Sequence, residues 1–283
     1  MMANDGQMFT PPSVRDLVVG SNACPLFVGT SGYSYTEWSD SGFYPAGTKT
    51  KDMLGLYMRF FPAVELNYTW YQMPKADAVA RMVRNAPADF LFAPKLTRTL
   101  THERKEAWQE QLRQYRHGIK PLGNRLAAVL VQLPPDFDRS NSNRYYLAKL
   151  LDGLYELPVA VEFRHASWAV DQVFAELERR RVTLVAIDAP PLPGMFPPLD
   201  VVTTPSLFYV RFHGRNRSGW HSSNMQKKFD YDYSTAELQE WGLQHIVTMS
   251  RDSSRGIMFF NNHVRAQAPR NARELQRILK SCM

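Results

Sequence analysis

Eight short apolar runs lie along the chain, and each of them ends at a polar residue or a glycine. The runs read PLFVGTSG, PAVELNYTWY, DFLFAPK, LAAVLVQLPP, PVAVEFRHASW, VTLVAIDAP, LFYVRFHGR and GIMFFNNH. Parallel strands that are buried on both faces have such near-continuous Val, Ile, Leu and Phe sequences. The pattern predicts an α/β fold of the TIM-type (β/α)8 barrel class, whose functional residues lie at the carboxyl-terminal ends of the strands.

The segments between the runs carry apolar residues at helical spacing, as the barrel requires. These faces fall at residues 53–61, 79–86, 108–119, 147–154, 170–177, 238–249 and 275–279. The sixth interval, 190–204, is rich in proline and is predicted to be a loop. The longest strand-to-helix connections, 30–50 and 213–234, are expected to build a ligand site over the barrel mouth.

The length of 283 residues fits one barrel domain, because such domains contain about 250 residues. We assign residues 1–22 to a partly mobile N-terminal tail and residues 23–283 to the barrel. No apolar stretch approaches the roughly 18 residues that span a bilayer, and no secretory signal pattern opens the chain. We therefore expect a cytoplasmic protein with no membrane partner, and we leave its oligomeric state open. Cys24 and Cys282 are expected to be free thiols.

The formal charge of +7 and the isoelectric point near 9.4 favour anionic partners. Phosphorylated metabolites and nucleic acid both satisfy that preference. Much of the excess is arginine scattered over the predicted helices, as at Arg81, Arg113 and Arg116, where a solvated helix surface is the ordinary explanation.

Polar residues at the strand ends share the parity that places side chains on one side of a strand. Glu162 and Arg164 are two residues apart, as are Arg211 and His213. A half-exposed strand would alternate along its whole length, whereas these runs begin apolar and become polar only at their carboxyl ends. We therefore predict one ring of functional groups above the barrel core, in which these four residues form a single ligand site.

This ring supplies candidate acid–base and ligand-binding groups. The candidate acid–base residues are Glu162, Asp188, Glu65, His213 and His102. The candidate ligand-binding residues are Tyr33, Asn67, Tyr71, Lys95, Gln132, Arg164, His165, Trp168, Arg211, Arg215, Trp220 and Asn261. The alternative is that Glu162 with Arg164, or Glu65 with Lys95, pair only to satisfy each other's buried charge. A Schiff base at Lys95 is a further alternative.

Metal and cofactor chemistry have no local motif in the sequence. The HxH, HExxH and paired-cysteine spacings are missing, and GTSG at 29–32 fits neither a P-loop nor a dinucleotide fingerprint. Several cations in one pocket would also repel a divalent ion. We predict neither a cofactor nor a metal, and an anionic small molecule as the ligand. The alternative is a Zn²⁺ or Mn²⁺ site in which His213 and His102 join carboxylates from different strands.

A set of motifs in a fixed order carries a family resemblance. The motifs are GTSGYSYTEW (29–38), FYP (43–45), VELNYTWY (64–71), FAPK (92–95), LTH (100–102), QLPP (132–135), EFRHASW (162–168), VRFHGR (210–215), FNN (260–262) and NARELQ (271–276). In these the chain resembles the DUF72 family, a group of uncharacterised barrel proteins that includes YecE-like proteins. The resemblance implies a TIM-type barrel and no particular reaction. Trp70 stands where the family more often has Phe.

Two function classes follow from these observations. The first is a small-molecule enzyme in which Arg and Lys clamp an anionic, phosphorylated or sugar-like ligand beside acid–base carboxylates; a hydrolase, isomerase or lyase is favoured over an oxidoreductase. The second is a nucleic-acid-binding or nuclease-like barrel that uses the basic, aromatic loop 213–234. A non-catalytic scaffold would leave the concentration of unlike polar groups unexplained.

Overall fold

The computed structural model describes residues 13–105, 107–220, 222 and 224–282. Its strands coincide with the apolar runs, preceded by one short extra strand. They are β1 (Val19–Gly20), β2 (Pro25–Ser31), β3 (Ala63–Leu66), β4 (Leu91–Pro94), β5 (Val129–Gln132), β6 (Val159–Glu162), β7 (Thr183–Asp188), β8 (Phe208–Phe212) and β9 (Gly256–Phe260).

The eight strands from β2 to β9 form a nearly closed parallel barrel. Their spatial order is β4-β3-β2-β9-β8-β7-β6-β5, and each neighbouring pair is parallel. The remaining seam joins β4 to β5 through two isolated parallel bridges, Phe92 with Leu126 and Lys95 with Leu130. The Leu96 N–H donates to the Leu130 carbonyl across this seam at 2.8 Å. The predicted single-domain barrel is confirmed.

Helices surround the barrel and connect its strands. They are α1 (Val14–Leu17), α2 (Glu37–Asp40), α3 (Thr50–Tyr57), α4 (Tyr68–Tyr71), α5 (Ala76–Asn85), α6 (Trp108–Ile119), α7 (Asn141–Gly153), α8 (Asp171–Arg180), α9 (Met225–Lys228), α10 (Thr235–Glu240), α11 (Val247–Arg251) and α12 (Gln267–Cys282). Segments of π-helix cover Thr99–Glu103 and Trp241–Ile246, and 3-10 turns cover Lys120–Arg125, Ala166–Trp168 and Val264–Ala266.

Each helical face predicted from the sequence corresponds to a helix of the outer layer. The face at 238–249 is spread over α10, a π-helical turn and α11. It follows a capping box in which Ser234 and Glu237 bond each other's backbone N–H groups. The proline-rich sixth interval contains no helix, as predicted. None of the described helices is long and apolar enough to cross a bilayer.

Part of the N-terminal tail takes part in the fold. Residues 1–12 lie outside the described residues, but β1 pairs antiparallel with β2 and places Val19 opposite Leu26. The segment is also tied to α12, because Gln276 donates to the Leu17 carbonyl at 3.3 Å and Lys280 donates to the Asp16 carbonyl at 3.1 Å. Residues 16–20 of the predicted tail are therefore in contact with the barrel and with α12.

We expect Gly29→Ala to destabilise the barrel by about 1–3 kcal/mol or more, because its core has no room for the added methyl group. A Cβ at this position of β2 would lie 2.2 Å from the Ala63 carbonyl oxygen. Gly55→Ala in α3 is the matched control, since its Cβ would meet no atom within 4 Å and alanine favours a helix by up to about 1 kcal/mol. Urea unfolding measures both variants, and equal effects of the two substitutions would contradict the packing argument.

Candidate functional site

A buried arginine, Arg211 of β8, holds two carboxylates together inside the upper barrel. Its Nε and Nη2 donate to the two carboxylate oxygens of Glu65 at 2.8 and 2.7 Å, and its Nη1 donates to Glu162 Oε2 at 2.5 Å. Tyr209 adds a hydroxyl donor to Glu65 at 2.7 Å. The two glutamates are 0% exposed and Arg211 is 1% exposed. This geometry gives Arg211 the paired hydrogen bonds for which a guanidinium is suited.

Arg164 and His213 extend this network on the side of β6. Arg164 Nε lies 2.5 Å from Glu162 Oε1, and its Nη2 lies 3.0 Å from His213 Nε2. His213 Nε2 is also 3.2 Å from Glu162 Oε1, while its Nδ1 is 3.1 Å from the side-chain nitrogen of Asn261. Glu162, Arg164, Arg211 and His213 are therefore joined in one connected group of side chains.

The charges of this group balance one another. Burial raises the pKa of Glu162, but Arg164 and Arg211 outweigh it and hold that pKa well below its ordinary value. Burial and the neighbouring Arg164 hold the pKa of His213 well below its usual range. Two guanidinium groups thus face two carboxylates and a neutral imidazole.

A cavity of about 390 Å³ lies above this network at the carboxyl ends of the strands. Its lining residues are Tyr35, Asn67, Trp70, Tyr71, Lys95, His102, Gln132, Pro135, Arg164, Met195, Arg211, Trp220, Met225, Lys228, Phe229, Asn261 and His263. No carboxylate is among these described lining residues. Arg164 and Arg211 of the network line the cavity, while Glu65 and Glu162 bond these arginines and are not among the lining residues.

Several cations of the cavity lining lie close to aromatic rings. Lys95 Nζ lies 5.0 Å from the centre of the Trp70 ring. Lys228 Nζ lies 4.7 Å and the guanidinium carbon of Arg164 5.7 Å from the Trp220 ring centre. Although it belongs to the long loop after β8, Trp220 is only 4% exposed. The two tryptophan rings thus form cation–π contacts with cationic side chains that line the same cavity.

Two lining groups have lowered pKa values, so that His102 is uncharged and Lys95 is partly uncharged near neutral pH. Burial and the nearby charge of Arg211 lower the pKa of Lys95 to about 7. Burial and the nearby Lys95 lower the pKa of His102 to about 4. His102 Nδ1 is 2.8 Å from the Thr101 hydroxyl, which fixes one ring nitrogen and leaves the other for a different partner. A neutral amine and a neutral imidazole are both able to accept a proton.

The structure brings most of the predicted site residues together. Those that line the cavity are Asn67, Tyr71, Lys95, His102, Gln132, Arg164, Arg211, Trp220 and Asn261. Three more, Glu65, Glu162 and His213, lie in the network beneath it. Glu65 pairs with Arg211 and not with Lys95, the partner that the sequence suggested.

Asp188 and Arg215 are not in the cavity. In the β7–β8 register Ile187 is opposite Arg211 and Asp188 is opposite Phe212, so Asp188 faces the outer helices. There Arg215 donates to it at 2.8 Å and the Trp241 indole also bonds it. Burial raises the pKa of Asp188, while Arg215 opposes that shift. Asp188 therefore does not join the predicted ring of functional groups. It is a buried residue that connects β7 to the loop after β8 through Arg215.

Tyr33, His165 and Trp168 also lie outside the lining of the cavity. Trp168 stacks on Phe163 with ring centres 4.7 Å apart, and its indole N–H donates to the Phe137 carbonyl at 2.7 Å. His165 Nδ1 lies 2.8 Å from the Ser167 hydroxyl, and the Tyr33 carbonyl accepts a hydrogen bond from Tyr44. These contacts fasten loops to the barrel.

Lys228 and His263 line the cavity without having been predicted. His263 follows Asn261 by two residues, a spacing that the sequence already contained, and it stacks on Tyr35 with ring centres 4.8 Å apart. Lys228 ends the short helix α9 inside the long loop, so that only the folded loop shows where its side chain goes.

A metal site has no support in the described part of the chain, where no group of three or more His, Cys, Asp or Glu side chains is placed to hold an ion.

The fold and the cavity together define a single-domain α/β-barrel protein with a cation-lined cavity at the carboxyl ends of its strands. The chain belongs to the DUF72 family, described as a protein family of unknown function, whose model matches residues 27–282. This membership confirms the resemblance that the sequence motifs indicated.

Bacterial relatives and solved structures agree with this assignment. The UPF0759 protein YunF of Bacillus subtilis is 28% identical over 272 residues, 90% of this chain and 94% of YunF. YecE of Escherichia coli K12 is 26% identical over 184 residues, 62% of this chain and 64% of YecE. The DUF72 protein TM1631 of Thermotoga maritima matches with a TM-score of 0.81 at 35% identity, over 90% of this chain and 99% of that one. The Enterococcus faecalis protein EF0366 matches with a TM-score of 0.80 at 27% identity, over 90% and 95%.

We expect Arg211→Met to lower the free energy of unfolding by about 3–5 kcal/mol, because it leaves two buried carboxylates without their shared partner. Arg113→Met is the control, since Arg113 pairs with Glu110 on the exposed face of α6 and such pairs contribute little. Urea unfolding measures both. Equal stability of the Arg211 variant and the wild type would contradict the account of the network.

Lys95→Met should stabilise the protein at pH 6 to 7. The lowered pKa of Lys95 means that the unfolded chain binds its proton more tightly, so this group destabilises the fold at low pH. That cost falls by about 1.4 kcal/mol for every pH unit as the pH rises from the folded pKa of about 7 toward the pKa of the unfolded chain. Thermal unfolding of both proteins across pH 6 to 10 measures the difference, and a constant difference over that range would refute the lowered pKa.

Proposed function

We propose that the protein is a small-molecule enzyme that binds an anionic ligand in the cavity at the barrel mouth. One observation carries the proposal: Lys95, Arg164 and Lys228 line the cavity, and no described lining residue is a carboxylate. Arg164 and Arg211 are balanced by Glu65 and Glu162, whereas Lys95 and Lys228 contact no described carboxylate. A bound anion would supply the missing counter-charge and favour the protonated forms of the two lysines.

The size and the walls of the cavity support a small ligand. Its volume of about 390 Å³ lies within the range of small-molecule pockets. The rings of Trp70, Tyr35 and Trp220 offer flat apolar faces, while Gln132 and Asn261 offer amides. Asn67 Oδ1 and Trp70 Nε1 are buried and bond no described group. Such a mixture of stacking faces and polar groups suits a phosphorylated or sugar-like molecule.

The acid–base role in this proposal falls on Lys95 and His102. Glu162 is buried beneath the cavity and is held ionised by two arginines, so it is poorly placed to exchange protons with a ligand. Lys95 and His102 line the cavity, and both have lowered pKa values. We therefore assign Glu65 and Glu162 to orienting Arg211 and Arg164. Proton transfer of this kind occurs in hydrolases, isomerases and lyases.

The loop after β8 supports a small ligand better than a nucleic acid. Arg215, its first basic residue, pairs with Asp188 and also lies 3.5 Å from Glu237 and 3.6 Å from Glu240. Trp220 is buried and Lys228 faces the cavity. The loop therefore directs much of its basic and aromatic character inward, whereas a surface that follows a phosphate backbone presents such groups to solvent.

A thermal-shift experiment with inorganic phosphate and pyrophosphate tests the proposal. A ligand at a hundred times its Kd should stabilise the wild type by about 2.7 kcal/mol, which is several degrees in Tm. Lys228→Met should weaken binding by about tenfold, the effect of losing one charge-assisted contact. Lys51→Met removes an exposed lysine of α3 and should leave binding unchanged.

Two results would contradict this function. The first is an anion shift that Lys228→Met does not reduce, since the ligand would then bind elsewhere. The second is stabilisation only by oligonucleotides, with a steep loss as salt increases, which would favour the nucleic-acid alternative.

A further inference from the structure

Lys95 differs from the two arginines that line the cavity because its side chain contacts no described carboxylate. Arg211 and Arg164 each contact a buried glutamate. Lys95 Nζ makes no hydrogen bond or ion pair with any described group, and its neighbour is the Trp70 ring at 5.0 Å. Lys95 lines the cavity, and its amine lacks the carboxylate contact that would favour the ammonium form.

The backbone of Lys95 is fixed although its side chain is free. The residue directly follows β4, and its N–H donates to the Leu66 carbonyl of β3 at 3.3 Å. The Thr69 hydroxyl lies 2.6 Å from the Lys95 carbonyl oxygen and 2.7 Å from the Leu66 carbonyl oxygen, and its one proton is shared between the two acceptors. A reactive group on such a strand end is positioned more rigidly than one on a loop.

The surroundings favour the neutral amine, which is the nucleophilic form. Burial lowers the pKa of Lys95 to about 7. Of the charged groups that act on it, Arg211 and Arg164 lower the pKa further and Glu65 and Glu162 raise it. Both glutamates already bond the arginines, so their attraction for Lys95 is largely offset. His102 faces the same space and is itself neutral.

We propose that Lys95 forms a Schiff base with the carbonyl carbon of an anionic aldehyde or ketone bound in the cavity. This inference rests on the function proposed above and narrows its substrate class to carbonyl compounds that carry a phosphate or carboxylate group. Arg164 and Lys228 flank the Trp220 ring and supply the cations for that group.

The reaction balances without a further reagent. The Nζ lone pair attacks the carbonyl carbon, and the C–N bond forms as the C=O π bond opens onto oxygen. The oxygen then takes the first proton lost by the nitrogen, which gives a carbinolamine. The C–O bond then breaks, water leaves, and the nitrogen loses its second proton as the C=N bond forms. His102 lines the same cavity and contacts the same Trp70 ring, with centres 5.0 Å apart. It is placed to carry the proton from the nitrogen to the departing hydroxyl.

Lys228 is the competing amine in the cavity. Burial lowers its pKa as well. It ends a four-residue helix, however, and its Nζ sits over the Trp220 ring at 4.7 Å, near the guanidinium that would share the anion. The geometry assigns Lys228 to the anionic group of the ligand and Lys95 to its carbonyl.

Reductive trapping tests the assignment. The wild type is incubated at several pH values with pyridoxal 5′-phosphate, a phosphorylated aldehyde, then reduced with borohydride and mapped by peptide mass spectrometry. Lys95 should be modified at pH 7 about tenfold or more faster than exposed Lys51, and its rate should reach half its maximum near the pKa of about 7. Pyridoxal, which lacks the phosphate, should react more slowly. Lys228→Met should slow labelling by pyridoxal 5′-phosphate but leave it at Lys95.

Lys95→Arg replaces the amine with a guanidinium, which forms no Schiff base, and should abolish the fast modification at this position. A melting curve of the variant shows whether it is folded. Modification of Lys228 in place of Lys95, or a Lys95 rate no greater than that of Lys51, overturns the proposal. If phosphate still stabilises the wild type in that case, anion binding stands and the Schiff base alone fails. If phosphate does not stabilise it either, the proposed function itself fails.

Discussion

The upper barrel depends on one constraint: a guanidinium buried in the barrel must have its charge satisfied from neighbouring strands. Arg211 meets this requirement with Glu65 of β3 and Glu162 of β6, residues that lie far apart in the chain and are joined only by the closed barrel. Removing one partner from such a group leaves an uncompensated buried charge. The strand register at this level is therefore tied to electrostatics as well as to packing.

That internal balance determines the character of the cavity above it. Because the carboxylates are engaged with Arg211 and Arg164, they do not neutralise the lysines of the cavity wall. Lys95 then sits in a partly buried place without a carboxylate contact, where burial opposes its charge. The same arrangement thus produces an anion-attracting cavity and an amine suited to nucleophilic chemistry.

Much of this arrangement could be predicted from the sequence, because residues two apart on a strand lie on the same face of the sheet. The spacing of Glu162 with Arg164 and of Arg211 with His213 places each pair on one side of its strand, and the structure joins all four. The same reasoning failed for Asp188, because an apolar run ending in an acid does not tell which face that acid occupies. The register of β7 against β8 decides it, with Ile187 opposite Arg211. The register depends on how a strand pairs with its neighbours. A shift of one residue in that pairing moves a side chain to the other face of the sheet.

The position of Lys228 was out of reach for a related reason, since it depends on how the loop after β8 folds back over the barrel. The loop brings Trp220 and Lys228 together at 4.7 Å, and its length and composition indicated only that it could cover the mouth. The alternation of side chains along a strand can be read from the sequence. The contacts of a loop, by contrast, depend on how the whole chain packs.

An NMR titration of the Lys95 side chain tests the central claim most directly. In protein whose lysines carry an isotope label, with the resonance assigned through Lys95→Arg, the account predicts that Lys95 titrates near pH 7 while exposed lysines keep ordinary values. A Lys95 pKa near 10.5 would show that the amine remains charged at neutral pH. It would contradict the view that the Arg211 network leaves Lys95 uncompensated.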